Sequence, residues 1–86
     1  MNIVLHKRFS KMAVKLPPKT KQKMVESMTL FAQEPTDRQL RVHGLSTPYG
    51  GSYSIDITGD VRAIYQLIDA ETALFAHIGT HSQLYR

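Results

Sequence analysis

Six side chains of the 86-residue sequence have chemistry suited to a phosphodiester: His43, Asp56, Asp60, Arg62, His81 and Tyr85. Cleaving RNA without a metal needs a base for the 2′-hydroxyl proton, an acid for the leaving oxygen, and a cation for the phosphorane charge. Histidine and aspartate supply the first two, and the planar fork of arginine supplies the third. His81 and Tyr85 stand four residues apart in the closing run Gly79-Thr80-His81-Ser82-Gln83-Leu84-Tyr85-Arg86. Thr80 followed three residues later by Gln83 has capping-box spacing, which predicts a short helical turn. On such a turn positions i and i+4 share a face, so the imidazole and the phenol ring lie side by side. That pairing suits proton transfer beside a stacked base. A terminal helix that only covers a sheet is the plainer explanation of the same pattern.

The remaining candidates each have a plain explanation too. Arg62 interrupts the apolar run Val61-Arg62-Ala63-Ile64-Tyr65, which fits either a solvated functional face or an ordinary exposed one. His43 sits beside Gly44 in a stretch that reads as loop. Asp60 follows Gly59, a pair that turns favour. His77 is read as a sheet-face residue with no chemical role, and His6 as a helix-start residue. His77 and His81 are four apart, but Gly79 and the change from strand to turn break the helical spacing a metal pair would use. No metal site and no cofactor are expected. No glycine-rich phosphate loop, nucleophile elbow or Cys/His dyad occurs in the sequence.

The elements that must position these residues follow from periodicity. Ile3-Val4-Leu5 is a short apolar strand. Phe9, Met12, Ala13 and Leu16 then recur at helical spacing until Pro17-Pro18 ends the helix, and Pro18 can occupy the first turn of the next. Met24, Met28, Phe31 and Ala32 repeat the spacing as far as Glu34-Pro35. The lysines fall on the outer faces of the two helices, which read as a hairpin. Thr36 to Tyr49 reads as loop, with a short extended piece around Leu40-Arg41-Val42. Gly50-Gly51 opens a strand in which Tyr53, Ile55 and Ile57 alternate with Ser52, Ser54 and Asp56. Thr58-Gly59-Asp60 is a turn, and Val61 to Ile68 and Thr72 to Ile78 are two further strands. The order β-α-α-β-β-β predicts one small α+β domain over residues 1–86, with the helix hairpin on one face of a mostly antiparallel sheet. The other face is then partly bare and carries Asp56 and Arg62.

Charge and composition set the outer limits. The net charge is +4, and Lys7, Arg8, Lys11, Lys15, Lys19, Lys21 and Lys23 all precede the first acidic residue, Glu26. Such a block is expected to attract polyanions, either nucleic acid or an acidic protein. Lysines that merely solvate two helix faces would look the same. No apolar run approaches the ~20 residues of a membrane span. The N-terminus lacks a signal-peptide layout, and cysteine is absent, so a cytoplasmic protein without disulfides is expected.

The residues taken together resemble a family. Ser54-Ile55-Asp56-Ile57-Thr58-Gly59-Asp60-Val61-Arg62-Ala63-Ile64-Tyr65, followed by Ile78-Gly79-Thr80-His81-Ser82-Gln83-Leu84-Tyr85, is similar to the RelE/YafQ superfamily of bacterial toxins, and to its YafQ-like branch most of all. Lys15-Leu16-Pro17 and Val42-His43-Gly44-Leu45 extend the likeness over essentially the whole chain. The resemblance implies a RelE-like fold and a ribosome-dependent mRNA endonuclease of a type II toxin–antitoxin system. Such an enzyme cleaves through 2′-hydroxyl attack, leaves a 2′,3′-cyclic phosphate and a 5′-hydroxyl, and uses no metal. Implied partners are a cognate antitoxin, mRNA in the ribosomal A site, rRNA, and operator DNA only through the toxin–antitoxin complex. The resemblance makes His81 the general acid, His43 and Asp60 catalytic or substrate-orienting, Arg62 the phosphate-stabilising arginine, and Tyr85 the terminal ring that positions or stacks on mRNA. The basic block, from Lys7 and Arg8 to Lys23, would contact RNA or the ribosome.

Two departures bear on this. Asp56 stands where YafQ-like toxins can carry a histidine, which leaves Asp60, His43 and Asp56 all open as the general base. Val61 occupies a position that is often aromatic, which would alter codon preference. Two other functions are compatible with the same fold: a ParE-like toxin that inhibits gyrase, and a non-catalytic relative that only pairs with an antitoxin and binds DNA.

Overall fold

A computed structural model describes residues 1–46 and 49–85. Strand β1 (Asn2–Leu5) leads into helix α1 (Lys7–Ala13) and helix α2 (Pro18–Gln33). After a 3-10 turn (Arg38–Leu40) come β2 (His43–Gly44), β3 (Tyr53–Asp56), β4 (Val61–Asp69), β5 (Thr72–Thr80) and the short helix α3 (His81–Leu84). The five strands form one sheet in the order β1-β5-β4-β3-β2, with β1 parallel to β5 and every other pairing antiparallel. This is the expected α+β arrangement, helices on one face of a mostly antiparallel sheet, with one added strand.

Local chemistry accounts for the element ends. The His6 ring accepts the Arg8 N–H at 3.0 Å and caps α1. The helix stops at Ala13, short of Leu16, because a residue preceding proline is pushed out of the α region and the chain must turn before Pro17. Pro18 then starts α2 at the position where a missing N–H costs nothing. The extended piece expected around Leu40–Val42 is instead a 3-10 turn. Asp37 caps it by accepting the Gln39 N–H at 2.8 Å, and Arg41 reverses the chain in the left-handed region at φ 50°, ψ 57°. The strand itself begins at His43. Gly50 and Gly51 belong to the turn before β3 rather than to the strand. Part of the expected 36–49 loop, residues 47 and 48, and Arg86 of the closing run lie outside the described residues.

The core lies between the helices and one sheet face. Phe9 of α1 and Phe31 of α2 both meet Phe75 of β5 edge-on, at ring-centre separations of 5.8 and 5.1 Å. Tyr65 completes the aromatic cluster, 4.8 Å from Phe31. Ile55, Ile57, Ala63, Ala73 and Ile78 fill the space around them. All three phenylalanines are essentially inaccessible, and each contributes about 1.5–3 kcal/mol by leaving water. Met24, Met28 and Ala32 turn inward with Phe31, whereas Lys19 and Lys23 remain exposed.

A bulge in β5 sets what the opposite face displays. Ile64 pairs with His77 and Tyr65 with Phe75, so Ala76 is an extra residue. In a regular strand Phe75 and His77 would share a face; the inserted residue separates them. Phe75 therefore enters the core while His77 joins the row His43–Ser54–Ile64–His77 across β2 to β5. This second face is less bare than the alternation implied. Ile64 and Leu84 are buried there, outside the main core cluster.

Candidate nucleotide-cleaving site

The closing turn has the geometry its spacing demands. The Thr80 hydroxyl accepts the Gln83 N–H at 3.2 Å, and the Gln83 side chain accepts the Thr80 N–H at 2.8 Å, a complete capping box. Gly79 makes room for it: a Cβ there would stand 2.7 Å from Gln83 Oε1. The turn brings the His81 and Tyr85 rings to a centre separation of 4.7 Å.

Asp60 is joined to this turn through the backbone, its carbonyl accepting the His81 N–H at 3.2 Å. Both residues are exposed at the same end of the sheet. Thr58 shapes the neighbouring turn by accepting the N–H groups of Asp60 and Val61 on its hydroxyl.

Arg62 and Asp56 are directly paired across β3 and β4 and point to the second face. The Arg62 Nε lies 2.9 Å from Asp56 Oδ1, while Nη1 donates to the carbonyls of Thr58 and Gly59 at 3.1 and 3.0 Å. The guanidinium thus braces the β3–β4 turn, and Nη2 has no protein acceptor among the described residues. Gly79 is opposite Arg62 on its other side, so no side chain from β5 blocks the approach to it.

His43 lies exposed at the far edge of the sheet, in β2 opposite Ser54. It shares the face with Asp56 and Arg62 and lies on β2, three strands from β5, which leads into His81. The structure therefore gathers Asp56, Asp60, Arg62, His81 and Tyr85 at one end and leaves His43 on the rim. Of the basic block, Arg8 reaches His77, with Nη1 and Nε2 3.5 Å apart. Lys23 lines a groove beside the β3–β4 turn. Lys7, Lys11 and Lys19 project from the helices into solvent, Lys15 is exposed in the turn between them, and Lys21 is half-buried. Among the described residues no three His, Asp or Glu side chains converge into a metal cage.

One residue at this face, Tyr49, was not singled out by its sequence context. Tyr49 emerges from a Ser/Thr/Pro/Gly-rich loop, and its hydroxyl donates to the Leu84 carbonyl at 2.7 Å, tying loop to terminal turn. Its ring stands 5.6 Å from Tyr85 and 5.1 Å from His77. Burial raises the Tyr85 hydroxyl above its ordinary value, with Tyr49 adding to the effect and Arg62 opposing it. Tyr85 is therefore a neutral ring at physiological pH, suited to stacking rather than to proton abstraction. Burial lowers the His77 imidazole, and the nearby charges of Arg8 and His6 lower it further.

No described protein family and no curated protein matches the sequence. Solved structures do. YafQ from E. coli is 27% identical over 99% of this chain and 98% of its own, with a TM-score of 0.80. The E. coli DinJ–YafQ toxin–antitoxin complex matches with 27% identity over 99% and 97%, at a TM-score of 0.77. A YoeB/ParE toxin from Agrobacterium tumefaciens, 14% identical over 94% of this chain and 99% of its own, shares the fold at a TM-score of 0.77. The likeness runs through the whole of β1 to α3, so the chain has the fold of YafQ and is similar to the RelE/YafQ-like toxins.

Proposed function

We propose that the protein is the toxin of a type II toxin–antitoxin pair and acts as a ribosome-dependent mRNA endonuclease. The observation that carries this reading is the grouping of His81, Tyr85, Asp60 and Arg62 at one end of a YafQ-like sheet. In the proposed reaction a base removes the 2′-hydroxyl proton and the 2′-oxygen attacks the adjacent phosphorus. The P–O5′ bond breaks as protonated His81 delivers its proton to the departing 5′-oxygen. The products are a 2′,3′-cyclic phosphate and a 5′-hydroxyl. Arg62, through its uncommitted Nη2, lies where it could offset charge on the phosphorane. Tyr85 stacks on a base and fixes it beside His81.

Asp56 is the least suited of the three candidate bases, because its carboxylate is engaged with Arg62. Asp60 and His43 remain, one beside His81 and one at the rim. An exposed carboxylate is a weak base, and ribosomal straining of the message into an in-line geometry would compensate. That dependence on orientation agrees with a reaction confined to the translating ribosome in the cytoplasm.

A cognate antitoxin is proposed because YafQ is found in complex with the antitoxin DinJ. Operator DNA would be bound only by the pair. Induction of the chain in a bacterium, with primer extension on a reporter message, tests the reading. Codon-phased cuts are expected, whereas growth arrest with intact message and lost supercoiling would make the protein a gyrase inhibitor instead.

A further inference from the structure

Beyond the His81 end, the same sheet face holds a hollow of about 290 Å³ walled by Arg8, Tyr49, Ser52, Ile64, Gln66 and His77. No carboxylate borders it. Arg8 is exposed, and among the described residues its side chain has one polar neighbour, His77 Nε2 at 3.5 Å. A guanidinium has donors only, so this contact requires the Nε2 lone pair and a neutral imidazole protonated at Nδ1. At that length the bond is weak, and the guanidinium keeps donors for a stronger acceptor. Arg8 thus lies beside the His77 ring in a hollow without a carboxylate.

The rings of His77, Tyr49, Tyr85 and His81 follow one another at centre separations of 5.1, 5.6 and 4.7 Å. They make a continuous aromatic path from the hollow to the proposed cleaving end. Its size is at the low end of small-molecule sites, roughly 300 Å³. A cation, an aromatic wall and amide and hydroxyl side chains match the phosphate, face and edge of a single nucleotide. An acidic peptide would use Arg8 but leave the aromatic path without purpose.

We propose that the Arg8–Tyr49–His77 hollow is a subsite for single-stranded RNA that holds the nucleotide adjoining the scissile phosphate. Arg8 takes the backbone phosphate, and His77 and Tyr49 receive the base. Only the location of the scissile phosphate rests on the nuclease reading; the subsite itself rests on the hollow.

The test is binding of a 2′-O-methyl tetraribonucleotide, which cannot be cleaved, to the full chain over a range of salt. Arg8→Gln is expected to weaken binding about five- to tenfold and to lower the salt slope by about 0.7, the loss of one phosphate contact on a single strand. Arg8→Lys should restore the slope but only part of the affinity, because a point charge replaces a fork. His77→Gln should weaken binding and leave the slope unchanged. Unaltered affinity and slope in Arg8→Gln would overturn the subsite. So would failure of the wild-type chain to bind, or an Arg8→Gln defect confined to antitoxin capture. Arg8-dependent binding by a chain that does not cut messages would keep the subsite and remove the nuclease reading. Cutting with wild-type binding in Arg8→Gln would do the reverse.

Discussion

Arg62 and Asp56 face each other across β3 and β4 with Nε 2.9 Å from Oδ1, yet the N–H is not aimed at that oxygen, which is buried without a directed hydrogen bond. The contact is an ion pair by distance, and the directed bonds of the guanidinium go to the Thr58 and Gly59 carbonyls. Asp56 therefore balances a charge more than it orients one. Arg62 has two duties, bracing the turn and facing the candidate site.

Arg62→Ala is expected to slow message cleavage by more than about tenfold through loss of a charge-assisted contact to the phosphorane. It should also cost about 1–2 kcal/mol of stability, the partly exposed side chain reducing the full value of two bonds to carbonyls. For a chain of this size that is a melting-temperature drop of at least roughly 4 °C. Asp56→Asn should keep cleavage within about tenfold, since it removes only a counter-charge; a general base would lose far more on that change. Calorimetry and single-turnover cleavage on the two variants separate these roles.

Gly79→Ala should damage the site more than the fold. The added methyl group would press on Gln83 Oε1, 2.7 Å from the ideal Cβ position, and the amide would have to leave the Thr80 N–H. Loss of half a capping box costs about 1 kcal/mol, and the turn carrying His81 would shift. Cleavage should fall by at least about tenfold, because small misplacements of catalytic groups are costly. A Gln83→Ala variant, which removes the same bond without crowding, should show a milder defect. Wild-type cleavage in Gly79→Ala would separate the capping box from activity.

Stability should depend on pH through His77. Its folded-state affinity for a proton is lowered by burial and by Arg8 and His6 at the start of α1, while Tyr49 packs against the ring from the loop. The unfolded chain, with an ordinary imidazole near 6.5, takes up more protons as the pH falls below that value. This contribution is thus fully present above about pH 6.5 and is lost on acidification. His77→Gln should flatten the fall in melting temperature between roughly pH 7 and pH 5. An identical slope in the variant would mean that other groups set the acid dependence.

Much of the site could be read from the sequence because its signals are local. Thr80 and Gln83 declare the terminal turn, and the turn's geometry then fixes His81 beside Tyr85. The alternation of Tyr53, Ile55 and Ile57 against Ser54 and Asp56 places Asp56 on the second face, and the hairpin register puts Arg62 opposite it. What stayed hidden depends on long-range packing. The Ala76 bulge, which moves His77 out of the core side, leaves no mark in a strand whose neighbours are all apolar. Tyr49 reaches the site by a loop path, and its partner Leu84 is 35 positions away. The strand at His43 has only two residues, too few for alternation to register.

Primer extension on a reporter message, comparing the wild-type chain with His81→Ala, tests the proposed chemistry most directly. Codon-phased cuts bearing a 2′,3′-cyclic phosphate are expected with the wild type, and their loss, with the protein still folded, in the variant. Undiminished cutting by His81→Ala would contradict the assignment of the acid and, with it, the site built around the closing turn.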